Sequence, residues 1–78
     1  MSKTVTVYSA TWCGFCHAAK DYFDKKGVEY TDKDVEHDPT FMTEAVTKSG
    51  QRGIPVIDID GKIIIGFNRP EIDAALAA

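Results

Sequence analysis

The only two cysteines of the chain, Cys13 and Cys16, stand three residues apart where a strand-like run gives way to a helix-like pattern. This placement constrains the fold more than any other feature, because a strand must end directly at a helix N-terminus. Residues three apart in a first helical turn sit on neighbouring faces, close enough for their sulfurs to exchange between dithiol and disulfide. The helix start also sets Cys13 against unpaired backbone N–H groups and the positive end of the helix dipole. Both favour thiolate over thiol and are expected to draw the Cys13 pKa below the free value of about 8.5. The thiolate is the form that attacks disulfides, so Thr11-Trp12-Cys13-Gly14-Phe15-Cys16-His17 reads as a redox centre. As a structural staple the pair would contribute little: the chain-entropy model assigns about 2 kcal/mol or less to so short a loop.

The rest of the chain reads as a frame for that stretch. Lys3-Thr4-Val5-Thr6-Val7-Tyr8-Ser9 is β-branched and aromatic, which predicts the first strand. Phe15, Ala18, Ala19, Tyr22 and Phe23 form one apolar helical stripe, and Gly27 is the expected stop. On a helical wheel Cys16 lies beside Ala19 and Phe23 while Cys13 points away, so Cys16 is expected to be buried and Cys13 exposed. Residues 28–35 read as a second strand, made an edge by Asp32, Lys33 and Asp34. Asp38-Pro39 predicts a capped second helix with Phe41, Met42, Ala45 and Val46 on its apolar side, ending at Gly50. Asp60-Gly61 is a two-residue hairpin signal between two isoleucine-rich strands. Asn68, with Glu71 three residues on, caps a last helix that turns Ile72, Ala75 and Leu76 inward. The order β-α-β-α-β-β-α predicts an α/β fold: a mixed four-stranded sheet with helices on both faces.

At 78 residues the chain has room for one small domain, residues 1–78, with a compact core. A net charge of −3 and the lack of a basic block argue against nucleic acid or an anionic membrane as the main partner. The stretch from Met1 to Trp12 alternates, with no continuous apolar run, so neither a signal peptide nor a membrane span is expected. A monomer in the reducing cytoplasm is the corresponding expectation.

Two binding readings compete with redox chemistry. Cys13-Gly14-Phe15-Cys16-His17 matches the haem-attachment spacing, with Met42 as a second axial ligand, but leaves the βαβ order unexplained. Zinc could use Cys13, Cys16 and His37 or His17, yet a closed site needs a fourth ligand and no second pair is suitably spaced. The site is therefore expected to hold no metal, and His17 is read as a solvent-facing helix residue. Ile54-Pro55 is the second informative element. Proline is tolerated at a strand start, and a cis bond facing the disulfide would free the Ile54 backbone to pair with an extended substrate.

In these segments the chain resembles the glutaredoxins, of thioredoxin-like fold, over nearly its whole length. The matching pieces are Tyr8-Ser9 before Trp12-Cys13-Gly14-Phe15-Cys16, then Ser49-Gly50-Gln51-Arg52-Gly53-Ile54-Pro55, then Asp60-Gly61-Lys62 leading to Ile65-Gly66. The resemblance implies a dithiol–disulfide oxidoreductase with Cys13 as nucleophile, Cys16 as resolving thiol and Pro55 as a cis-proline beside them. It implies disulfide-containing protein partners, glutathione as co-substrate and no tightly bound cofactor. The substrate groove it implies is formed by Trp12, Phe15, Arg52, Ile54, Pro55, Gly66, Phe67 and Asn68.

Three departures bear on that groove. Ala10 replaces a lysine common in the family, Gly53-Ile54-Pro55 replaces Thr-Val-Pro, and Gly66-Phe67-Asn68-Arg69-Pro70 lacks the acids that pair with the glutathione ammonium. Losing two charge-assisted contacts removes several kcal/mol of affinity, at about 1.5–3 kcal/mol each. The last segment resembles redoxins that are reduced by thioredoxin reductase and serve ribonucleotide reductase. Gly14 resembles members that bridge an iron–sulfur cluster with glutathione across a dimer, whereas the retained Cys16 favours plain redox work.

Overall fold

The computed structural model describes residues 3–78, leaving the start of the Met1–Trp12 stretch outside the described residues. The elements follow the expected order: β1 (Val5–Ser9), α1 (Gly14–Lys25), β2 (Thr31–Asp34), α2 (Pro39–Ser49), β3 (Val56–Ile59), β4 (Lys62–Ile65) and α3 (Arg69–Ala77). The sheet runs β2-β1-β3-β4. Because α1 carries the chain back along the sheet, β2 pairs parallel to β1, with Val7 opposite Asp32. β3 is antiparallel to both β1 and β4, with Ile57 opposite Val7 and Ile64. β2 is the polar edge its charges predict.

Alternation along the strands divides the core between two faces. Val5, Val7, Ile57, Ile59 and Ile64 meet Ala19 and Phe23 of α1 and Ile72 of α3 on one face. Tyr8, Val35 and Val56 meet Ala45 of α2 on the other, with Phe41 and Met42 half-buried beside them. The fully covered Tyr8 donates its hydroxyl hydrogen to Glu44 at 2.9 Å, and Lys33 pairs with the same carboxylate. That pairing ties α2 to the strand that leads into the cysteines. The hydrogen bond from Lys33, then that from Tyr8, holds the Glu44 carboxyl below its usual range.

The turns use the residues the sequence offers. Asp38 caps α2 by accepting from Thr40 N–H, Pro39 occupies the first turn, and Gly50 ends the helix at φ 73°. Asp60 and Gly61 both take positive φ, 51° and 91°, as a two-residue hairpin between right-twisted strands requires. Asn68 caps α3 through Glu71 N–H.

Two expectations fail in detail. The second strand begins at Thr31 rather than Val28, because Val28 N–H bonds to Phe23 carbonyl at 2.9 Å and so belongs to the helix end. Phe15 is 70% exposed and lies off the core face, which narrows to Cys16, Ala19 and Phe23. Phe23→Ala is expected to cost about 3–5 kcal/mol of stability, against less than about 0.5 kcal/mol for Phe15→Ala. Urea-denaturation midpoints of the two variants check the assignment.

Candidate redox site

β1 ends at Ser9, and four residues later Cys13 stands as the N-cap of α1 in extended conformation, φ −90° and ψ 108°. A cap residue normally supplies a side-chain acceptor to a first-turn N–H. Here the acceptor is sulfur: Cys13 Sγ lies 3.2 Å from Cys16 N. The turn into the helix is closed by Cys13 N–H on Ala10 carbonyl and by His17 N–H on Cys13 carbonyl, each at 3.2 Å. Cys13 and Cys16 are joined as a disulfide, with Cα atoms 5.2 Å apart.

Ala10, Cys13 and Cys16 form a small buried cluster against which Ile54 packs. Cys16 has no exposure and Cys13 only 7%. The order of burial matches the wheel, but Cys13 is not the open residue it predicts, since Ala10 and Ile54 close over most of it. The Ile54–Pro55 bond is cis, and Ile54 carbonyl lies 4.0 Å from Cys13 Sγ. Pro55 is buried, and its carbonyl accepts from Gly66 N–H at 2.8 Å, which draws the end of β4 toward this loop. Among the described residues neither the N–H nor the carbonyl of Ile54 has a backbone partner.

The glutaredoxin family model matches residues 5–64, a span holding both cysteines and the cis-proline. The chain belongs to the glutaredoxin family. It is thus a thiol–disulfide oxidoreductase by family, and its α/β architecture is the thioredoxin-like fold. A glutaredoxin-like 8.6 kDa protein in the rubredoxin operon of Clostridium pasteurianum is 41% identical over 69 residues, covering 88% of this chain and 92% of its own. Among solved structures, the glutaredoxin-like NrdH-redoxin of Escherichia coli matches with TM-score 0.80 at 27% identity, over 91% of this chain and 92% of its own. Buckwheat glutaredoxin, solved in complex with glutathione, matches with TM-score 0.78 at 27% identity, over 96% and 74% respectively.

Against this glutaredoxin frame the expected groove residues divide. Ile54 packs on the cysteine cluster, and the buried Pro55 that follows it across the cis bond accepts from Gly66 N–H. Trp12 precedes Cys13 and Phe15 lies between the two cysteines, each 70% exposed. Arg52 is exposed on the loop before Ile54. Phe67 is engaged elsewhere, packed against the core and edge-on to Tyr22 at 5.7 Å. Asn68 spends its side chain on the α3 cap and on Glu71 Oε2. Arg69 lies over the Tyr22 ring at 4.9 Å. Neither histidine joins the sulfurs: the His17 ring bonds to Thr11 carbonyl and that of His37 to Asp34. Among the described residues, the grouping with metal-ligand spacing is Asp34, Glu36 and His37, which lacks both cysteines.

No local signal marks Ala10 as a neighbour of the sulfurs. His17 is solvent-exposed as expected, and its ring also bonds to Thr11 carbonyl. Nor does any local signal mark Glu36, whose Oε1 lies 2.7 Å from Thr11 Oγ1. No periodicity links positions 25 residues apart; only the parallel pairing of β1 with β2 brings them together.

Two outcomes follow for reduced and oxidised protein. Titration of thiolate absorbance in the reduced glutaredoxin is expected to show Cys13 ionising below about 8.5, the free-thiol value. The exposed Asp34–His37 pair sets a pH window for stability. Its hydrogen bond raises the His37 pKa above 6.5 and lowers that of Asp34 below 3.8. The His37 contribution is complete below pH 6.5 and fades as pH rises through the raised value, while the Asp34 contribution holds above 3.8 and fades below it. The urea midpoint of His37→Gln is therefore expected to fall furthest below wild type near pH ~5 and to converge with it by pH ~9.

Proposed function

We propose that this protein reduces protein and glutathione mixed disulfides, with Cys13 as nucleophile and Cys16 as resolving thiol. The observation that carries the reading is Cys13 Sγ at the helix N-cap, 3.2 Å from Cys16 N, beside a fully covered Cys16. In the first step Cys13 thiolate attacks one sulfur of the substrate disulfide, forming a mixed disulfide and releasing the other half as thiolate. Cys16 then loses its proton and attacks Cys13 sulfur. The second substrate thiolate leaves, and the two electrons given up by the dithiol reside in the reduced substrate. Two external thiols, those of glutathione in this reading, reverse the sequence and restore the pair.

Trp12, Phe15, Arg52, Ile54, Pro55 and Gly66 form the proposed contact surface, with Phe67 and Asn68 at its margin. An extended substrate segment would pair with the unpartnered Ile54 backbone. No tightly bound cofactor is assigned. Among the described residues no helix is long and apolar enough to cross a membrane. In this reading the protein works as a monomer in the reducing cytoplasm.

A second reading takes thioredoxin reductase as the electron donor and ribonucleotide reductase as the target. It is favoured by the segment entering α3, where Asn68 is occupied by its cap and no acid within residues 66–70 is available for an ammonium group. The likeness to NrdH-redoxin points the same way.

Cys13→Ser is expected to abolish disulfide reduction, and Cys16→Ser to accumulate mixed disulfides while keeping monothiol turnover with glutathione. Normal turnover by Cys13→Ser would overturn the mechanism. Oxidised protein supplied either with glutathione and its reductase, or with thioredoxin reductase and NADPH, identifies the donor by which pair drives turnover.

A further inference from the structure

The turn after β2 reaches back to the loop that precedes the disulfide, and this contact has no part in the chemistry above. Thr11 stands two residues before Cys13. Its hydroxyl donates to Glu36 Oε1 at 2.7 Å, and its N–H approaches the same oxygen at 3.4 Å. Its carbonyl faces the other way and lies 2.8 Å from His17 Nε2. A carbonyl can only accept, so Nε2 carries the proton. All three polar groups of Thr11 are thereby held by side chains from two separate elements, the turn after β2 and the first turn of α1.

Glu36 is itself fixed. Its N–H donates to Asp34 Oδ1 at 2.8 Å, that of His37 reaches the same oxygen at 3.3 Å, and Asp34 Oδ2 closes on His37 Nδ1 at 2.6 Å. Val35 N–H donates to Ser9 carbonyl at 2.9 Å, which anchors this turn to the end of β1. Across the gap the loop is short: Cys13 N–H bonds to Ala10 carbonyl, so a shift of Thr11 is passed to Cys13. A solvent-exposed hydrogen bond contributes only about 0.5–1.5 kcal/mol to stability. The value of this clamp lies in geometry, because small displacements of a reacting atom carry large rate penalties.

We propose that Glu36 and His17 are positioning residues that grip the Thr11 peptide from both sides and thereby hold Cys13 sulfur over the N–H of Cys16. The proposal rests on the assignment of Cys13 as nucleophile. It also makes a prediction of sign. A carboxylate near Cys13 repels a thiolate, so if charge were its only effect, removing Glu36 would make Cys13 ionise at lower pH. If Glu36 acts by positioning, its loss frees the loop, weakens the cap and makes Cys13 ionise at higher pH.

The test uses reduced full-length protein, with thiolate titration by absorbance and the rate of Cys13 alkylation by iodoacetamide. Thr11→Val removes the hydroxyl without changing charge. It is expected to raise the Cys13 pKa and, at a pH below the wild-type Cys13 pKa, to slow alkylation about threefold to tenfold, the change in thiolate fraction for a shift of ~0.5–1 unit. The deficit should vanish at pH ~10, where the thiol is ionised in every variant. Thr11→Ser restores the hydroxyl and is expected to behave as wild type. Glu36→Gln keeps an acceptor and loses the charge, so its Cys13 pKa is expected to equal or fall below wild type, whereas Glu36→Ala and His17→Ala follow Thr11→Val. Wild-type ionisation in Thr11→Val and Glu36→Ala, or a lowered pKa in Glu36→Ala, overturns the proposal. Disulfide reduction by Cys13→Ser separates the two failures: if that variant is inactive while Thr11→Val is unaltered, only the clamp is lost. If it is active, the nucleophile assignment falls first.

Discussion

The contact between Cys13 sulfur and the Cys16 amide joins helix capping to redox chemistry. The first N–H groups of any helix lack partners within it, and an oxygen side chain usually meets one of them. Here a sulfur does so. The same unpaired dipoles that make the position suitable for an acceptor make it suitable for an anion, so the cap and the activation of the thiol are one electrostatic arrangement. The sheet earns its place by delivering β1 to that point, with the central strands β1 and β3 buried between helices on both faces.

Burial then separates two chemically identical side chains. One turn of helix carries Cys16 onto the face shared with Ala19 and Phe23, where it has no exposure, while Cys13 keeps a small opening beside Ile54. A bulky disulfide can reach only the second of these. The Ile54–Pro55 loop lies against that opening, and the Pro55–Gly66 hydrogen bond connects it to the end of β4. Next to the cysteines in the chain, Trp12 and Phe15 stand largely in solvent. Large exposed apolar groups beside a reactive centre are the pattern of a surface that meets other molecules.

Much of this was legible because it depends on near neighbours in the chain. Asp38-Pro39, Asp60-Gly61 and Asn68 with Glu71 act over two to four residues through their own backbone, and each formed the expected cap or turn. Phe15 was misjudged for an instructive reason. It fits the helical stripe, but the buried face of α1 is Cys16, Ala19 and Phe23, and Phe15 is left 70% exposed. Val28 was misjudged because a β-branched residue suits a strand, while its amide was already engaged in ending α1. The assignment of Phe67 and Asn68 to the groove rests on resemblance alone; in the fold Phe67 also packs on Tyr22 and Asn68 also caps α3.

From the residues alone came the α/β order, the polar edge strand, the caps, and the meaning of two cysteines three apart at a helix start. All of these follow from backbone geometry within a turn or from alternation along one strand. Only the folded chain decided how far Cys13 is covered, which way the aromatics face, and that Glu36 meets Thr11. Those outcomes depend on elements distant in sequence lying side by side, and no local period encodes which side chains a parallel pairing brings within hydrogen-bonding distance.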